Sequence, residues 1–432
     1  MRLMDRQKRI GSSNRLVNLT PNLLSIWREG GPAQRGVGEV CARPGRKRFQ
    51  LSLVCVSLLL LTCSAAAQDD LLPCGQRPGY LERPWVDAMR FCLELVVQDD
   101  AAGELAFTAL AAADDGTLYA ARPWAGKVLA VEDTDGDGLP DTARVAADGL
   151  SRPAGLAYHD GALYIVDERR VYRLRGDAVD VLIDDLPAGG GFWNGGIAVG
   201  PDERLYVATG APCDHCAPAD PTRGAVLSFD LDGRDRRLVA RGLRHPAGLA
   251  FAAGALWTVD TARDGLFDTP DLDELNRVTP GAHFGWPFCV GAAGVQDWPG
   301  GAFDCAEAAP PALTFPTHSS PLALAAYRGG ALPSLEGALL VALGGSHNRV
   351  DLRGNAVAAV YFDAAGTPTG YHVILPEEPQ TLAALGFTLK ELNYRLSGLY
   401  PSRPYGVAVS PEGWVYISSG RRIVAIRPQV FG

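Results

Sequence analysis

Six stretches of this chain repeat one pattern, and that repetition limits what it can fold into more than any single residue does. They begin at Phe107 (FTALAAADDGTLYAA), Arg152 (RPAGLAYHDGALYIVDE), Asn194 (NGGIAVGPDERLYVATG), His245 (HPAGLAFAAGALWTVDT), Ser320 (SPLALAAYRGGALPSLEGALLVALG) and Arg403 (RPYGVAVSPEGWVYISSG). Each has an apolar run, a Gly-bearing turn and a second run that usually alternates, as in Leu205-Tyr206-Val207 and Val415-Tyr416-Ile417. Period-two patterning about Gly turns is the mark of antiparallel hairpins. One such unit cannot bury its own apolar face, so several must pack side by side. Six blade-sized units closing radially predict an all-β, six-bladed β-propeller over 105–432. An irregular β-sandwich or a different blade count are the alternatives. The units recur at roughly 42–50 residues and then at over 70. The excess is expected in long loops, which carry function in such scaffolds.

The N-terminal region has a different character. Arg43, Arg46, Lys47 and Arg48 precede an apolar run over 51–61, and Cys63-Ser64-Ala65-Ala66-Ala67 follows. A basic flank, a short apolar core and small residues at the exit predict an export signal within a leader over 1–67. The run is too short for a comfortable membrane span. Leu60-Leu61-Thr62-Cys63 loosely matches a lipoprotein box, which leaves lipid anchoring at Cys63 as a less favoured alternative to a periplasmic or extracellular protein. Residues 68–104 are set aside as an extension before the propeller. The first 68 residues hold 11 basic and 3 acidic side chains, so their removal shifts the net charge from −9 to −17. Such a chain is a poor partner for nucleic acid or anionic membranes. Six cysteines follow the leader, and the simplest of fifteen pairings is sequential: Cys74–Cys92, Cys213–Cys216 and Cys289–Cys305. A redox or metal role for Cys213-Asp-His-Cys216 is the alternative, although no second Cys-x-x-Cys completes a zinc site.

Asp133-Thr-Asp135-Gly-Asp137-Gly138-Leu139-Pro-Asp141 is the sharpest local motif. Alternate carboxylates and a Gly for the tight turn let a short loop wrap a hard cation with oxygen ligands. Asp133, Asp135, Asp137 and Asp141 are expected to give side chains and Leu139 a carbonyl to a structural Ca²⁺. A solvated acidic turn is the alternative.

The segment from Arg241 to Pro287 is the richest in polar groups beside glycines and aromatics. Gly-Leu-Arg244-His245-Pro246, Asp260-x-x-Arg263-Asp264, Asp273-Glu274-Leu275-Asn276 and Phe284-Gly285-Trp286-Pro287 resemble motifs of the soluble glucose/sorbosone dehydrogenase family. Further matches are Gly-Ala-Pro-Cys213-x-x-Cys216, His318-Ser-Ser-Pro321-Leu322, Gly345-Ser346-His347-Asn348-Arg349 and Arg403-Pro404-Tyr405-Gly406-Val407. The likeness runs from about residue 105 to 428. It implies a six-bladed quinoprotein that uses pyrroloquinoline quinone (PQQ) and Ca²⁺ to oxidise a sugar or related alcohol or aldehyde, passing electrons to a separate acceptor. It implies that Arg244, Arg263, Asp264, Asn348, Arg349 and Arg403 hold the cofactor, with Arg244 at the quinone. The family's His base lies two residues before the Gly-Gly of the third unit. By that register Trp193 stands there, in Phe192-Trp193-Asn194-Gly195-Gly196, and an indole cannot accept a proton at neutral pH. His245, His318 and His347 are the remaining candidate bases. Two other readings stay open: a non-catalytic propeller that binds carbohydrate or protein on the same face, and a calcium-dependent lactonase-type propeller using Asn194 and Asp260.

Overall fold

The computed structural model describes residues 72–81, 86–98, 107–263, 272–290, 295–296, 303–346, 353–376 and 403–430. All belong to one compact unit, Leu61–Gly432. The leader and Cys63 lie outside the described residues. So do the candidates Asp264, His347, Asn348 and Arg349. Among the described residues there is no α-helix, and no helix is long and apolar enough to cross a membrane.

Six four-stranded antiparallel sheets form the blades of a six-bladed β-propeller. The innermost strands are Leu110–Ala112, Gly155–His159, Ile197–Val199, Leu249–Ala252, Pro321–Ala326 and Pro404–Val409, in blades 1 to 6. Blades 1, 2, 3 and 5 continue outward strictly in sequence order. Blade 4 takes its outermost strand, Leu313–Phe315, after a long insertion. The insertion carries a hairpin of Cys289–Val290 and Val295–Gln296. Blade 6 is completed from the other end of the chain. Phe91–Gln98 pairs with Arg422–Pro428 as its outermost strand. The expected boundary at 105 therefore fails for this strand, which lies within residues 68–104 and yet belongs to the propeller. It lacks the hairpin signal of the repeats because its partner lies over 300 residues away.

Burial explains the sequence pattern. Second strands such as Ala162–Val166 and Leu339–Leu343 are buried throughout, while outermost strands such as Thr142–Ala147 and Ala178–Ile183 are mostly exposed. Apolar side chains gather in six clusters, each filling the space between two neighbouring blades, including blades 6 and 1. The Gly at the head of an inner strand has a steric cause. A Cβ on Gly155 would stand 1.8 Å from the Gly195 carbonyl oxygen, and one on Gly406 would stand 2.0 Å from that of Thr108. Three disulfides join Cys74–Cys92, Cys213–Cys216 and Cys289–Cys305, in the sequential pairing.

The closing blade also buries a charged triad. Glu94, fully buried on the outermost strand, accepts hydrogen bonds from Arg77 Nη1 at 3.0 Å and from Arg427 Nε at 2.9 Å and Nη2 at 2.5 Å. Arg427 lies over the Trp414 ring at 4.6 Å. Removing the anion strands two buried guanidinium groups, and breaking a buried ion pair on one side typically costs ~3–5 kcal/mol. Glu94→Ala is thus expected to lower stability by about that amount, read as a lower urea midpoint with an unchanged slope.

Candidate functional site

In each blade the loop entering the inner strand and the loop joining strands two and three lie at the same end of the sheet. At that end the channel opens into a cavity of about 480 Å³, lined by every inner strand through Leu110, Leu156, Ile197, Leu249, Leu324 and Val407. A second recess of about 220 Å³ shares Phe192, His245, Leu322 and Tyr405 with it. This recess adds Arg244, His318 and Arg403. Four of the residues singled out in the sequence thus meet here: Arg244, His245, His318 and Arg403.

The repeat explains why. Arg152, Trp193, His245, Ser320 and Arg403 each stand three residues before the position taken by Gly155, Gly196, Gly248, Ala323 and Gly406. Trp193 and His245 line the channel cavity, Ser320 and Arg403 line the recess beside it, and Arg152 packs on Trp193. Arg152 lies over the Trp193 ring at 5.3 Å, and His245 stacks on Phe192 at 5.0 Å. Arg152 was not a candidate from sequence, yet this spacing within the repeat identifies it.

Arg244 is the most heavily engaged member. It is 2% exposed. Its Nε and Nη2 donate to Asp214 Oδ1 at 2.9 and 2.6 Å, and Nη1 donates to Thr261 Oγ1 at 2.8 Å. Its guanidinium covers Phe192 at 4.1 Å. Asp214 sits inside the Cys213–Cys216 disulfide loop, so the bridge holds the counter-ion of Arg244. That loop docks on the insertion of blade 4: Trp286 Nε1 donates to the Asp214 carbonyl at 3.0 Å. The insertion reaches this face by running back along the outer strand of blade 3, with Phe284 N–H donating to Arg241 O and Trp286 N–H to Gly242 O. Arg403 donates to the carbonyls of Gly344, Gly345 and Ser346 at 3.3, 3.1 and 3.0 Å.

Two buried carboxylates fix the loops. Asp260, at the end of the second strand of blade 4, accepts the N–H groups of Arg244, His245 and Thr261 at 2.8, 2.5 and 3.0 Å. Asp273 accepts those of Ala262 and Ser320, both at 2.7 Å. Burial pushes Asp260 up to about 6, against the pull of its N–H donors. Burial, and then the Arg244 charge, pushes His245 down to about 4, so its imidazole is neutral at pH 7. His283 is likewise pushed down to about 4, by burial and then Arg241. Its Nδ1 accepts from Gly285 N–H at 3.0 Å while the ring stacks on Phe303.

The other candidates are placed differently. Arg263 lines a side cavity with Trp286 and the Cys289–Cys305 bridge, which shares Arg244, Thr261 and Ala262 with the recess. Asp133, Asp135 and Asp141 bring carboxylate oxygens within 4.8 Å of one another. Asp137 is not in this group; its Oδ1 accepts from Leu139 N–H at 2.7 Å, and the Leu139 side chain is buried in the seam between blades 6 and 1. This loop joins strands three and four of blade 1, at the opposite end of the sheets from the cavity. Asn194 gives both protons of its amide to the carbonyls of Glu168 and Pro187 and accepts from Gly210 N–H. With Asp260 also committed to backbone, neither supplies the lactonase-type metal cluster. Among the described residues the loop aspartates are the sole cluster of that kind.

Comparison with known proteins bears out the resemblance read from the motifs. The family model described as Glucose / Sorbosone dehydrogenase matches residues 164–358. The PQQ domain of a pyranose dehydrogenase from Coprinopsis cinerea is similar, with a TM-score of 0.63 and 17% identity over 81% of this chain and 98% of its own. A calcium structure of a carbohydrate-active enzyme of family AA12 from Trichoderma reesei gives 0.61 and 17%, over 84% and 100%. The PQQ-bound form of an aldose sugar dehydrogenase from Streptomyces coelicolor gives 0.50 and 17%, over 79% and 99%. At these identities the structural likeness speaks for the fold. No curated protein matches in sequence.

The two neutral histidines set a pH dependence of stability. A free imidazole titrates near 6.5, so between about 6.5 and 4 the unfolded chain binds protons that folded His245 and His283 refuse. Each therefore makes stability fall as pH drops through that window. Asp260 acts in the opposite sense between about 6 and 3.8, because there the fold holds a proton that the unfolded chain does not. Two groups outweigh one. Thermal stability is expected to fall from pH 6.5 to 4.5, with a shallower fall in His283→Gln, at most ~1.4 kcal/mol per pH unit less steep. Equal slopes in both proteins would contradict the neutral state of His283.

Proposed function

We propose that this chain is an exported quinoprotein-type oxidoreductase that takes PQQ at the head of the channel and oxidises a sugar or a related alcohol or aldehyde. The observation that carries the reading is the recess itself, in which two deeply placed guanidinium groups, Arg244 and Arg403, flank a neutral imidazole. Recesses with a few convergent polar groups in an apolar wall are the usual form of a small-molecule site. PQQ is planar and carries several carboxylates, so its chemistry fits a recess with Phe192 and Tyr405 in its wall and the buried Arg244 and half-buried Arg403 beside them. When bound, it supplies the two-electron acceptor. Arg244 and Arg403 would hold its anionic groups, and Asp214 keeps Arg244 oriented while leaving its Phe192-stacked plane fixed. Among the described residues, His245 is the one candidate base that lines both cavities. An imidazole poised near 4 is a weak base, but an anion docked beside it stabilises the protonated ring and raises its pKa. The three disulfides support an oxidising compartment.

Calcium fits the loop of blade 1. Asp133, Asp135 and Asp141 offer hard oxygen donors at a separation that bonds of about 2.3–2.6 Å can span. Asp133 is preset by Gly136 and Gly138 N–H groups, at 2.8 and 2.7 Å, and Asp141 by Thr134 Oγ1, at 2.7 Å. Arg427, from the closing triad, donates to the Asp137 carbonyl at 3.2 Å. A cation there would tie blade 1 to the seam. Chelation is expected to lower the melting temperature, since a ligand confined to the folded state adds ~2.7 kcal/mol at a hundred times its dissociation constant. An unchanged melt in chelator, with no calcium by elemental analysis, would refute this site.

A second reading has one specific observation behind it. By the motif register of the family resemblance Trp193 takes the place of the base, so a propeller that binds without turning over is the alternative. Titration of the protein with PQQ and Ca²⁺, then with aldoses, separates the two. Spectral binding followed by quinone bleaching is expected. Arg244→Ala should weaken quinone binding about ten- to a hundredfold, the worth of one or two charge-assisted hydrogen bonds. Trp193→His should raise turnover by ~10²–10⁴, the usual contribution of a positioned base. Binding without bleaching in both proteins leaves the second reading, and no binding removes the quinone altogether.

A further inference from the structure

The channel mouth has two unlike halves. Blades 4 to 6 contribute His245, Ser320 and Arg403, the polar half already described. Blades 1 to 3 contribute Trp124, Arg152 and Trp193. Trp124 sits on a tight turn between the second and third strands of blade 1, and it lines the 480 Å³ cavity while remaining 54% exposed. Its ring meets Trp193 at 5.4 Å and 72°, edge against face. Arg152 covers Trp193 and donates through Nη2 to Glu168 Oε1 at 2.7 Å. Ser151 Oγ donates to the other oxygen of Glu168 at 3.2 Å. The Arg152 bond holds the Glu168 carboxyl below the usual range, so it is ionised. Arg152 adopts φ 57°, a left-handed conformation that costs a non-glycine residue ~1–3 kcal/mol and is concentrated at functional sites.

The exposed indole of Trp124 is not called for by the packing of the blades. Trp124 belongs to none of the six inter-blade clusters. A half-exposed indole in a concave mouth offers its electron-rich face to a ligand. An ion pair of a donor-only guanidinium and an acceptor-only carboxylate, both part-exposed on the same rim, can read hydroxyl groups in either sense. A pyranose ring presents these two needs together, with an apolar C–H face and a hydroxyl-bearing edge. A flat protein partner would need neither the concavity nor the paired charges.

We infer that Trp124 forms a saccharide subsite bordering the reacting position, with Trp193 at the boundary and the Arg152–Glu168 pair packed on the Trp193 ring. The subsite would hold the second ring of an oligosaccharide whose terminal ring reaches the His245 half. This assignment rests on the oxidoreductase reading for the reacting ring, but the subsite itself is a binding claim and is tested without turnover. Calorimetric titration of quinone-free protein with glucose, cellotriose and maltotriose is expected to show at least one trisaccharide binding about tenfold or more tighter than glucose, that is ~1.4 kcal/mol. Trp124→Ala should erase that advantage, with glucose and PQQ affinities kept within about twofold and an unchanged melting temperature. Glu168→Gln, which keeps the shape but loses the charge, should weaken the trisaccharide several-fold. No trisaccharide advantage, or an advantage that survives Trp124→Ala, overturns the subsite. Loss of glucose or quinone binding in Trp124→Ala also overturns it, because Trp124 would then belong to the reacting position. Trisaccharide binding without any sugar oxidation would sustain the subsite and defeat the oxidoreductase reading. Oxidation of glucose with no preference for longer sugars would do the reverse.

Discussion

Everything at the channel depends on closing the ring. A propeller blade buries both faces against neighbours, so an open ring would leave one apolar face on blade 1 and one on blade 6. Here Phe91–Gln98 adds to Arg422–Pro428, and the two chain ends are joined by a ladder rather than by packing alone. Glu94 on that strand is held by Arg77 and Arg427 with almost no solvent. Desolvating three charges is costly, and such a triad is weak evidence for net stability. Its clearer effect is on register, because a slip of one residue along this ladder would move Glu94 to the other face of the sheet. Arg427 extends the same contact to the acidic loop of blade 1, so the seam and the loop are one structural unit.

With the ring closed, one local device is repeated around it. At Gly155 and Gly406 the neighbouring blade's carbonyl leaves no room for a Cβ, and the position three residues before this point in the repeat supplies Trp193, His245, Ser320 and Arg403 to the two cavities. The fold fixes where that side chain goes, and the sequence is free to vary what it is. Arg152, Trp193, His245, Ser320 and Arg403 occupy equivalent positions with very different chemistry. Asp167 and Asp260 show the same economy beneath them. Asp167 directly follows the second strand of blade 2 and Asp260 ends that of blade 4, and each ties down the loop entering its own blade, Asp167 through Ser151 N–H at 2.9 Å and Asp260 through Arg244 and His245.

The electrostatics of the polar half follow from depth. Arg244 cannot be buried alone, and Asp214 answers it from a loop that a disulfide keeps in place. His245 avoids the problem by staying neutral beside that cation. In the aromatic half Arg152 is answered by Glu168, both part-exposed, and the mouth is left open to solvent at Trp124.

The amino-acid sequence determined the hairpin units, their number and the pattern of burial, because period-two alternation and Gly turns are set within about ten residues. The motifs around Arg244, Asp260 and Trp286 were legible for the same reason, as short runs with chemistry attached. What surrounds Arg244 was not. Asp214 lies thirty residues before it, Phe192 lies further off, and Trp286 arrives on an insertion that begins at the far end of its blade. The outermost strand of blade 6 gave no sign of its partner, and the pairing of Trp124 with Trp193 joins blades 1 and 3. These are choices of tertiary structure. Only the closure of the ring brings the loop ends of six blades to one mouth, and no local pattern records a neighbour supplied by the geometry of the whole.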